Sequence, residues 1–346
     1  MAIEEISYLE LYAEDGPAVV EYFTSAFGFV AEAEAGPSTG LKDRRSTALS
    51  AGGVRLAVTT PVGGGTVADY LAEHGDGVAD IAFGSTDPAA AYRRAVASGS
   101  RSLEEPGTDG GGRPHAKVAV FGDVAHSLVP PGRLFPDYAW NALPAPSGNE
   151  EAEARVVDHV AVCLQAGTLH STVETYKEAF GLEYYSAEYI SVGEQAMDSI
   201  VVRNPAGTVT FTMIEPDTDR KPGQIDRFLD RNAGSGVQHI AFLVDDIISS
   251  VEEAQTRGAQ FLDTPDAYYD SLSERVQGLD KHIDGLRAMR VLADQDEWGY
   301  LLQIFTRSPH PRNSLFYELI QRNDARGFGS ANIRALYEAV ERSREF

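Results

Sequence analysis

The sequence predicts an α+β protein of two similar halves, each made of paired βαβββ modules that curve into an open barrel. The first observation is a repeat: GDGVADIAF at residues 75–83 and GSGVQHIAF at residues 234–242 lie 159 residues apart. The second is an alignment at a spacing of 151 residues, which pairs Tyr8 with His159 near the start of each half. The third is local hydrophobic periodicity, which alternates between strand and helix spacing as βαβββ modules require.

The second half shows these periodicities most clearly. Residues 156–164 alternate as a β-branched strand does, and residues 171–180 have helical spacing that ends at Gly181, a favourable C-terminal cap. Residues 201–216 predict a hairpin that turns at residues 204–207. The remaining predicted elements are a strand at 236–244, a helix at 246–257 before Gly258, and strands at 300–306 and 314–320.

Length and composition indicate two soluble globular domains. A chain of 346 residues can bury two cores, and its 43% hydrophobic and 23% charged residues are typical of folded proteins. We predict a first barrel domain at residues 1–130, a linker rich in proline, glycine and charge at residues 131–154, and a second barrel domain at residues 155–346. The last domain is expected to end in a lid helix at residues 333–346.

Charge and cysteine content exclude several classes of partner and site. The 52 acidic and 29 basic residues give a net charge of −23, which argues against nucleic acid or an anionic membrane as a partner. No signal peptide and no apolar run of roughly 20 residues is recognisable, so we expect a cytoplasmic protein. Cys163 is the single cysteine, so a metal would be held by His, Asp or Glu side chains.

A candidate metal site follows from the repeat. Asp80 in the first copy stands where His239 stands in the second, which suggests that only the second half has the site. His159 and His239 lie on predicted strands, and Glu318 lies on another with apolar neighbours on both sides. Two histidines and one carboxylate can form the facial triad of non-haem Fe(II) oxygenases. Taken singly, each is more often a packed or solvated residue, and we interpret the other histidines in that way: His74, His115, His126, His170, His282 and His310.

Several segments of the second half, in order, resemble one known family. They are DHVAVCL, PGQIDRFL, GSGVQHIAF, LLQIFT, LFYELIQR and GFGSANIRALYEAVE. Together they resemble the 4-hydroxyphenylpyruvate dioxygenase group of the vicinal-oxygen-chelate superfamily, and the resemblance extends more weakly over the first half. It implies Fe(II) held by His159, His239 and Glu318, and a first half that is structural and has lost its site. It also implies 4-hydroxyphenylpyruvate and O2 as partners, with a dimer or tetramer of the chain left open. The implied substrate-binding residues are Ser199, Thr212, Gln224, Gln238, Gln303, Phe305, Phe328, Ile333 and Tyr337.

The group contains two activities on the same substrate. One hydroxylates the aromatic ring to give homogentisate in tyrosine catabolism, and the other hydroxylates the benzylic carbon to give 4-hydroxymandelate and CO2. Thr212, Ile214 and Ile333 depart from the ring-hydroxylating pattern, which has proline, asparagine and phenylalanine there. A smaller residue at 333 would let the benzylic carbon lie nearest the oxidant. We therefore expect benzylic hydroxylation, with a product that serves as a precursor of 4-hydroxyphenylglycine in antibiotic biosynthesis.

The sequence leaves three alternative functions open. The first is the homogentisate-forming reaction, which would use the same three ligands. The second is a ligand-sequestering barrel without catalysis, which would not need the intact His-His-Glu set. The third is a glyoxalase-like isomerase with another divalent metal, although such enzymes are usually shorter.

Overall fold

The computed structural model describes residues 3–144, 156–279, 281–329 and 332. Within these residues, no helix is both long enough and apolar enough to cross a membrane. The first half contains β1 (Glu5–Tyr12), α1 (Gly16–Ala26), β2 (Val30–Ala35), β3 (Arg44–Ala51), β4 (Val54–Pro61), α2 (Thr66–His74), β5 (Gly77–Gly84), α3 (Pro88–Ala97), β6 (Arg101–Thr108), β7 (Pro114–Ala119), β8 (Ala125–Val129) and β9 (Asn141–Ala142).

The second half contains a longer series of helices. Its elements are β10 (Val156–Cys163), α4 (Leu169–Phe180), β11 (Glu183–Val192), β12 (Gln195–Arg203), β13 (Thr210–Pro216), α5 (Gln224–Arg231), β14 (Gly236–Leu243), α6 (Ile247–Thr256), α7 (Asp266–Asp270), α8 (Leu272–Arg275), α9 (Ile283–Met289), β15 (Leu292–Gln295), β16 (Tyr300–Phe305) and β17 (Phe316–Asn323).

Each half forms its own mixed sheet, and the two sheets have the same strand order. The order β2-β3-β4-β1-β5-β8-β7-β6 in the first half matches β11-β12-β13-β10-β14-β17-β16-β15 in the second. In each sheet the two central strands are antiparallel, and each pairs in parallel with its other neighbour. The α+β class with two half-barrels is therefore confirmed.

One short strand lies inside the predicted linker. β9 pairs with β2 at the edge of the first sheet, so part of residues 131–144 is built into that sheet. Residues 145–154 lie outside the described residues. The domain boundaries stay predictions.

The predicted elements of the second half are present, with differences in their bounds: the first strand of the predicted hairpin, β12, begins at Gln195 and not at residue 201. Gly181 ends α4 with φ 71°, as a C-terminal glycine cap requires. β17 begins at Phe316, two residues later than predicted. The preceding residues are held by side-chain bonds instead, because Ser314 donates to the carbonyl of Asp76 and Ser308 donates to that of Leu315.

The strand registers show that the repeat places its residues equivalently in three dimensions. In the first half, Tyr8 lies opposite Ala82, and Asp80 lies further along the same pair of strands. In the second half, His159 lies opposite Ala241, and His239 lies at the same distance along its own pair of strands. Tyr8 therefore corresponds to His159, and Asp80 corresponds to His239.

The two faces of the second sheet have different surroundings. On β17, Tyr317 is buried in the hydrophobic core, whereas the neighbouring Glu318 faces away from it. On β14, Ile240 and His239 alternate in the same way, and β10 follows the same pattern. Because side chains alternate along a strand, one face packs against the rest of the molecule and the other lines a cavity.

The core is continuous between the halves. The rings of Phe23 and Tyr317 meet edge to face with centroids 4.9 Å apart. His310 lies in a bend and is buried, with Nδ1 2.9 Å from Asp76 and Nε2 2.9 Å from the Tyr317 hydroxyl. The strand that bears Glu318 is thus anchored to the first half.

Candidate metal centre

The structure brings His159, His239 and Glu318 together on one face of the second sheet. Glu318 Oε2 lies 3.4 Å from Nε2 of His159 and 3.3 Å from Nε2 of His239. All three side chains are buried, and their candidate ligand atoms lie within 4.8 Å of one another. They are supplied by three neighbouring strands, β10, β14 and β17.

The donor set fits a divalent transition metal. Adjacent donors in an octahedron with bonds of about 2.1 Å lie about 3 Å apart, close to the two separations from Glu318. Two imidazole nitrogens and one carboxylate oxygen are the donors of the facial triad of non-haem Fe(II) enzymes. The three side chains also border a cavity, so a metal held there would face it.

Contacts behind the two histidines orient them for this role. Nδ1 of His159 donates to Asp158 at 2.8 Å, and Nδ1 of His239 lies 3.2 Å from the side-chain oxygen of Gln238. These bonds leave Nε2 of each histidine facing Glu318 Oε2, where a metal ion would bind in place of a proton. Asp158 is itself held by Arg322, through bonds of 2.6 and 2.8 Å.

Glu318 is oriented by its second oxygen. Gln303 donates from Nε2 to Glu318 Oε1 at 2.8 Å, which leaves Oε2 for the histidines. The side-chain oxygen of Gln303 accepts a bond of 2.9 Å from Asn332. The site is therefore tied to the beginning of the C-terminal segment.

The three groups perturb one another electrostatically. Burial favours the neutral form of His159, but Glu318 and Asp158 outweigh it and raise its pKa to about 9. Burial also raises the pKa of Glu318, but the two histidines outweigh it and hold that pKa at about 2. Burial lowers the pKa of His239, and Glu318 offsets this only in part. A carboxylate that stays ionised beside two imidazoles is suited to bind a metal cation. The cation would displace the second proton of His159.

The cavity beside the three groups contains every described residue that was predicted to bind substrate or select the product. It is narrow, about 50 Å³, and its lining includes Ser199, Thr212, Ile214, Gln224, Gln238, Gln303, Phe305 and Phe328. Two further predicted residues, Ile333 and Tyr337, and the predicted lid helix at 333–346 lie outside the described residues. The roles of all these residues stay predictions.

Sequence reasoning missed several residues of this cavity. Phe316 stacks on His239 with ring centroids 5.0 Å apart and 24° between the planes. Ile190, Met197 and Ile225 also line the cavity. Strand alternation could have identified Phe316, because it lies two residues before Glu318 and so shares its face.

The corresponding place in the first half holds an internal ion pair. Ser127 on β8 corresponds to Glu318, and both Ser127 and Lys117 contact Asp80. The Lys117 ammonium lies 2.8 Å from the Asp80 carboxylate, and Ser127 donates to the same carboxylate at 2.6 Å. An ammonium group thus neutralises Asp80.

Comparisons with known proteins identify the family of the chain. A family model described as the Glyoxalase/Bleomycin resistance protein/Dioxygenase superfamily matches residues 5–120, and a second with the same description matches residues 158–273. The 4-hydroxyphenylpyruvate dioxygenase of Dictyostelium discoideum is 29% identical over 99% of both chains. That of Pyricularia oryzae is 31% identical over 93% of this chain and 86% of its own. The chain belongs to the 4-hydroxyphenylpyruvate dioxygenase family.

One solved structure is more similar to this chain than these two dioxygenases are. It is a triple mutant of 4-hydroxymandelate synthase from Streptomyces coelicolor, 53% identical, with a TM-score of 0.94 over 99% of this chain and 100% of that one. As a member of the 4-hydroxyphenylpyruvate dioxygenase family the chain is an enzyme, and it carries a potential His-His-Glu metal-binding triad.

Proposed function

We propose that the chain is an Fe(II)-dependent dioxygenase that converts 4-hydroxyphenylpyruvate and O2 to 4-hydroxymandelate and CO2. The observation that carries this proposal is the 53% identity, over essentially the whole chain, to a 4-hydroxymandelate synthase. The named 4-hydroxyphenylpyruvate dioxygenases are 28–31% identical. The product would serve as a precursor of 4-hydroxyphenylglycine.

Iron bound by His159, His239 and Glu318 would supply coordination of the α-keto acid and activation of O2. The substrate provides its own α-keto acid, so no 2-oxoglutarate is consumed. Its carboxyl carbon leaves as CO2, and both atoms of O2 remain in the product. The hydroxyl group is added to the benzylic carbon.

The protein's own residues orient the ligands and exclude water. Asp158 accepts the Nδ1 proton of His159, and Gln303 fixes which oxygen of Glu318 faces the histidines. Phe305 and Phe316 line the cavity beside His239 and give it an apolar wall. Such a wall would hold an aromatic ring and keep water from the reacting atoms.

Thr212 offers the substrate a polar contact. Its hydroxyl is buried and has no hydrogen-bond partner among the residues that the structure describes, although it lines the cavity. A buried polar atom without a partner is destabilising unless a ligand or water satisfies it. The hydroxyl group therefore supports a binding role for Thr212.

We expect the T212V variant to bind substrate less well and yet to be more stable without it. Loss of one hydrogen bond should raise KM for 4-hydroxyphenylpyruvate by about fivefold. Removal of the unpartnered hydroxyl should raise the free energy of unfolding by about 1 kcal/mol. Steady-state kinetics and denaturant unfolding measure the two effects.

Thr59 provides a matched control, because its buried hydroxyl lies 2.7 Å from both Glu10 and Ser46. The T59V variant should lose stability and keep its KM. If T212V were destabilised and kept the wild-type KM, the binding role of Thr212 would be wrong.

Residue 333 is expected to influence the position of hydroxylation, an inference that rests on the sequence alone. An Ile333→Phe variant introduces the phenylalanine of the ring-hydroxylating pattern, so part of the product should become homogentisate. The Ile333→Leu variant keeps the aliphatic size and should keep the product. Chromatography separates the two products, and an unchanged mixture with Phe would contradict the role of Ile333.

The reaction class is tested by stoichiometry. The iron-loaded enzyme should consume one O2 and release one CO2 for each 4-hydroxyphenylpyruvate, without added 2-oxoglutarate. Binding of the substrate without O2 uptake would instead indicate a ligand-sequestering protein and would overturn the proposal.

A further inference from the structure

Two larger cavities flank the narrow cavity at the metal centre. One, of about 270 Å³, shares Gln224, Gln238 and Phe316 with it. The other, of about 340 Å³, lies beside strands β11, β12 and β13. It shares Ser199, Thr212 and Phe328 with the narrow cavity. Each of the two larger cavities therefore shares part of its wall with the cavity at the metal centre.

The two cavities differ in charge. Of the eleven described residues that line the first, Arg231 and Arg307 are cationic and none is acidic. The second is lined by two acidic residues, Glu188 and Asp296, against one arginine, Arg326. The chain has a net charge of −23, so a cavity lined by two arginines and by no acidic residue has the opposite sign of charge to the chain as a whole.

The two arginines of the first cavity are available to an anion. Arg307 is exposed, and its guanidinium has no ion pair with any described residue. The Arg231 guanidinium donates a bond of 3.3 Å to the carbonyl of Asn313, and no described carboxylate pairs with it either. Among the described residues, no acidic side chain neutralises either positive charge.

We propose that this cavity, which we call the arginine entrance, captures the carboxylate of the incoming aromatic α-keto acid and leads it to the metal centre. The inference rests on the proposed function, since that function makes the substrate an anion. The wall shared with the metal cavity includes Phe316, whose ring stacks on the candidate ligand His239. An anion held by Arg231 and Arg307 would thus lie beside side chains that also line the metal cavity. Positive charge at the mouth of a cleft raises the association rate of an anion in a salt-dependent manner.

The test compares association rates in charge variants. Arg307→Glu and Arg307→Gln change the arginine entrance, and Arg93→Glu is the control, because Arg93 is exposed on α3 in the first half and changes the net charge equally. Stopped-flow mixing of the iron-loaded enzyme with 4-hydroxyphenylpyruvate without oxygen gives the association rate constant at several salt concentrations. Circular dichroism confirms that each variant is folded.

We expect the Arg307→Glu variant to associate about fivefold more slowly at low salt, with Arg307→Gln intermediate and Arg93→Glu near the wild type. The difference should shrink as salt is raised, because exposed charges are screened over about 10 Å at 0.1 M. If Arg307→Glu and Arg93→Glu associate at the same rate while the wild type turns over 4-hydroxyphenylpyruvate, the arginine entrance is wrong and the proposed function stands. If the wild type does not turn over this substrate, the proposed function is overturned and the inference with it.

Discussion

Replacing Glu318 with alanine is expected to abolish iron binding and oxygen uptake. Glu318 supplies the oxygen of the triad, at 3.3–3.4 Å from the two histidine nitrogens. Even residues that only orient metal ligands change metal affinity or activity by about 10–100-fold, so loss of a ligand should cost at least about 100-fold. Iron content after dialysis and oxygen uptake with 4-hydroxyphenylpyruvate measure both effects.

The conservative Glu318→Gln variant separates the charge of the ligand from its shape. It keeps a side-chain oxygen and should still lose most of the iron affinity, because the negative charge is gone. Alanine at the exposed Glu34 is a control and should leave iron content unchanged. Wild-type turnover in Glu318→Ala would show that Glu318 is not a ligand.

Replacing Lys117 with methionine should destabilise the first half by about 2–4 kcal/mol, because it leaves buried Asp80 without its cationic partner. Burial would raise the pKa of Asp80, but Lys117 and Ser127 outweigh it and hold that pKa below its usual value. Glu10, also buried, would lose the same neighbouring charge. Denaturant unfolding measures the change.

The double variant Asp80→Asn, Lys117→Met should recover the part of this loss that comes from Asp80, since that side chain is then uncharged, whereas Glu10 stays without the neighbouring ammonium. As a control, Lys177→Met removes a surface pair with Glu174 and should cost less than about 0.5 kcal/mol. The folded-state pKa of Asp80 lies below its unfolded value of about 3.9, so its contribution is present above that pH and is lost as the pH falls further. Equal stability of Lys117→Met and the wild type at pH 7 would contradict the role of the ion pair.

The repeat made half of the candidate site predictable. Strand alternation places His159 and His239 on one face of the second sheet, and the register agrees, because each histidine lies opposite the alanine that follows the other histidine by two residues. The counterpart of Glu318 could not be found in this way. Helices α7, α8 and α9 lie between β14 and β17, with no equivalent between β5 and β8, so the spacing between the halves changes before Glu318.

Contacts between distant segments were not predictable from local patterns. Arg322 reaches Asp158 across 164 positions, and His310 reaches Asp76 across 234. No periodicity or motif encodes such pairs, which depend on how the strands and the two halves pack. The same holds for Lys117, whose ammonium neutralises Asp80 only because β7, β8 and β5 are neighbours in the sheet.

An iron site made by His159, His239 and Glu318 should direct both atoms of O2 into 4-hydroxymandelate. The most direct measurement is chromatography with mass spectrometry of the product that the iron-loaded enzyme forms from 4-hydroxyphenylpyruvate under ¹⁸O2. Because 4-hydroxymandelate and homogentisate are isomers of the same mass, retention time identifies the product and mass reports the label. The expected product is 4-hydroxymandelate that carries two ¹⁸O atoms. Homogentisate as the main product, or 4-hydroxymandelate without label, would contradict the proposed reaction.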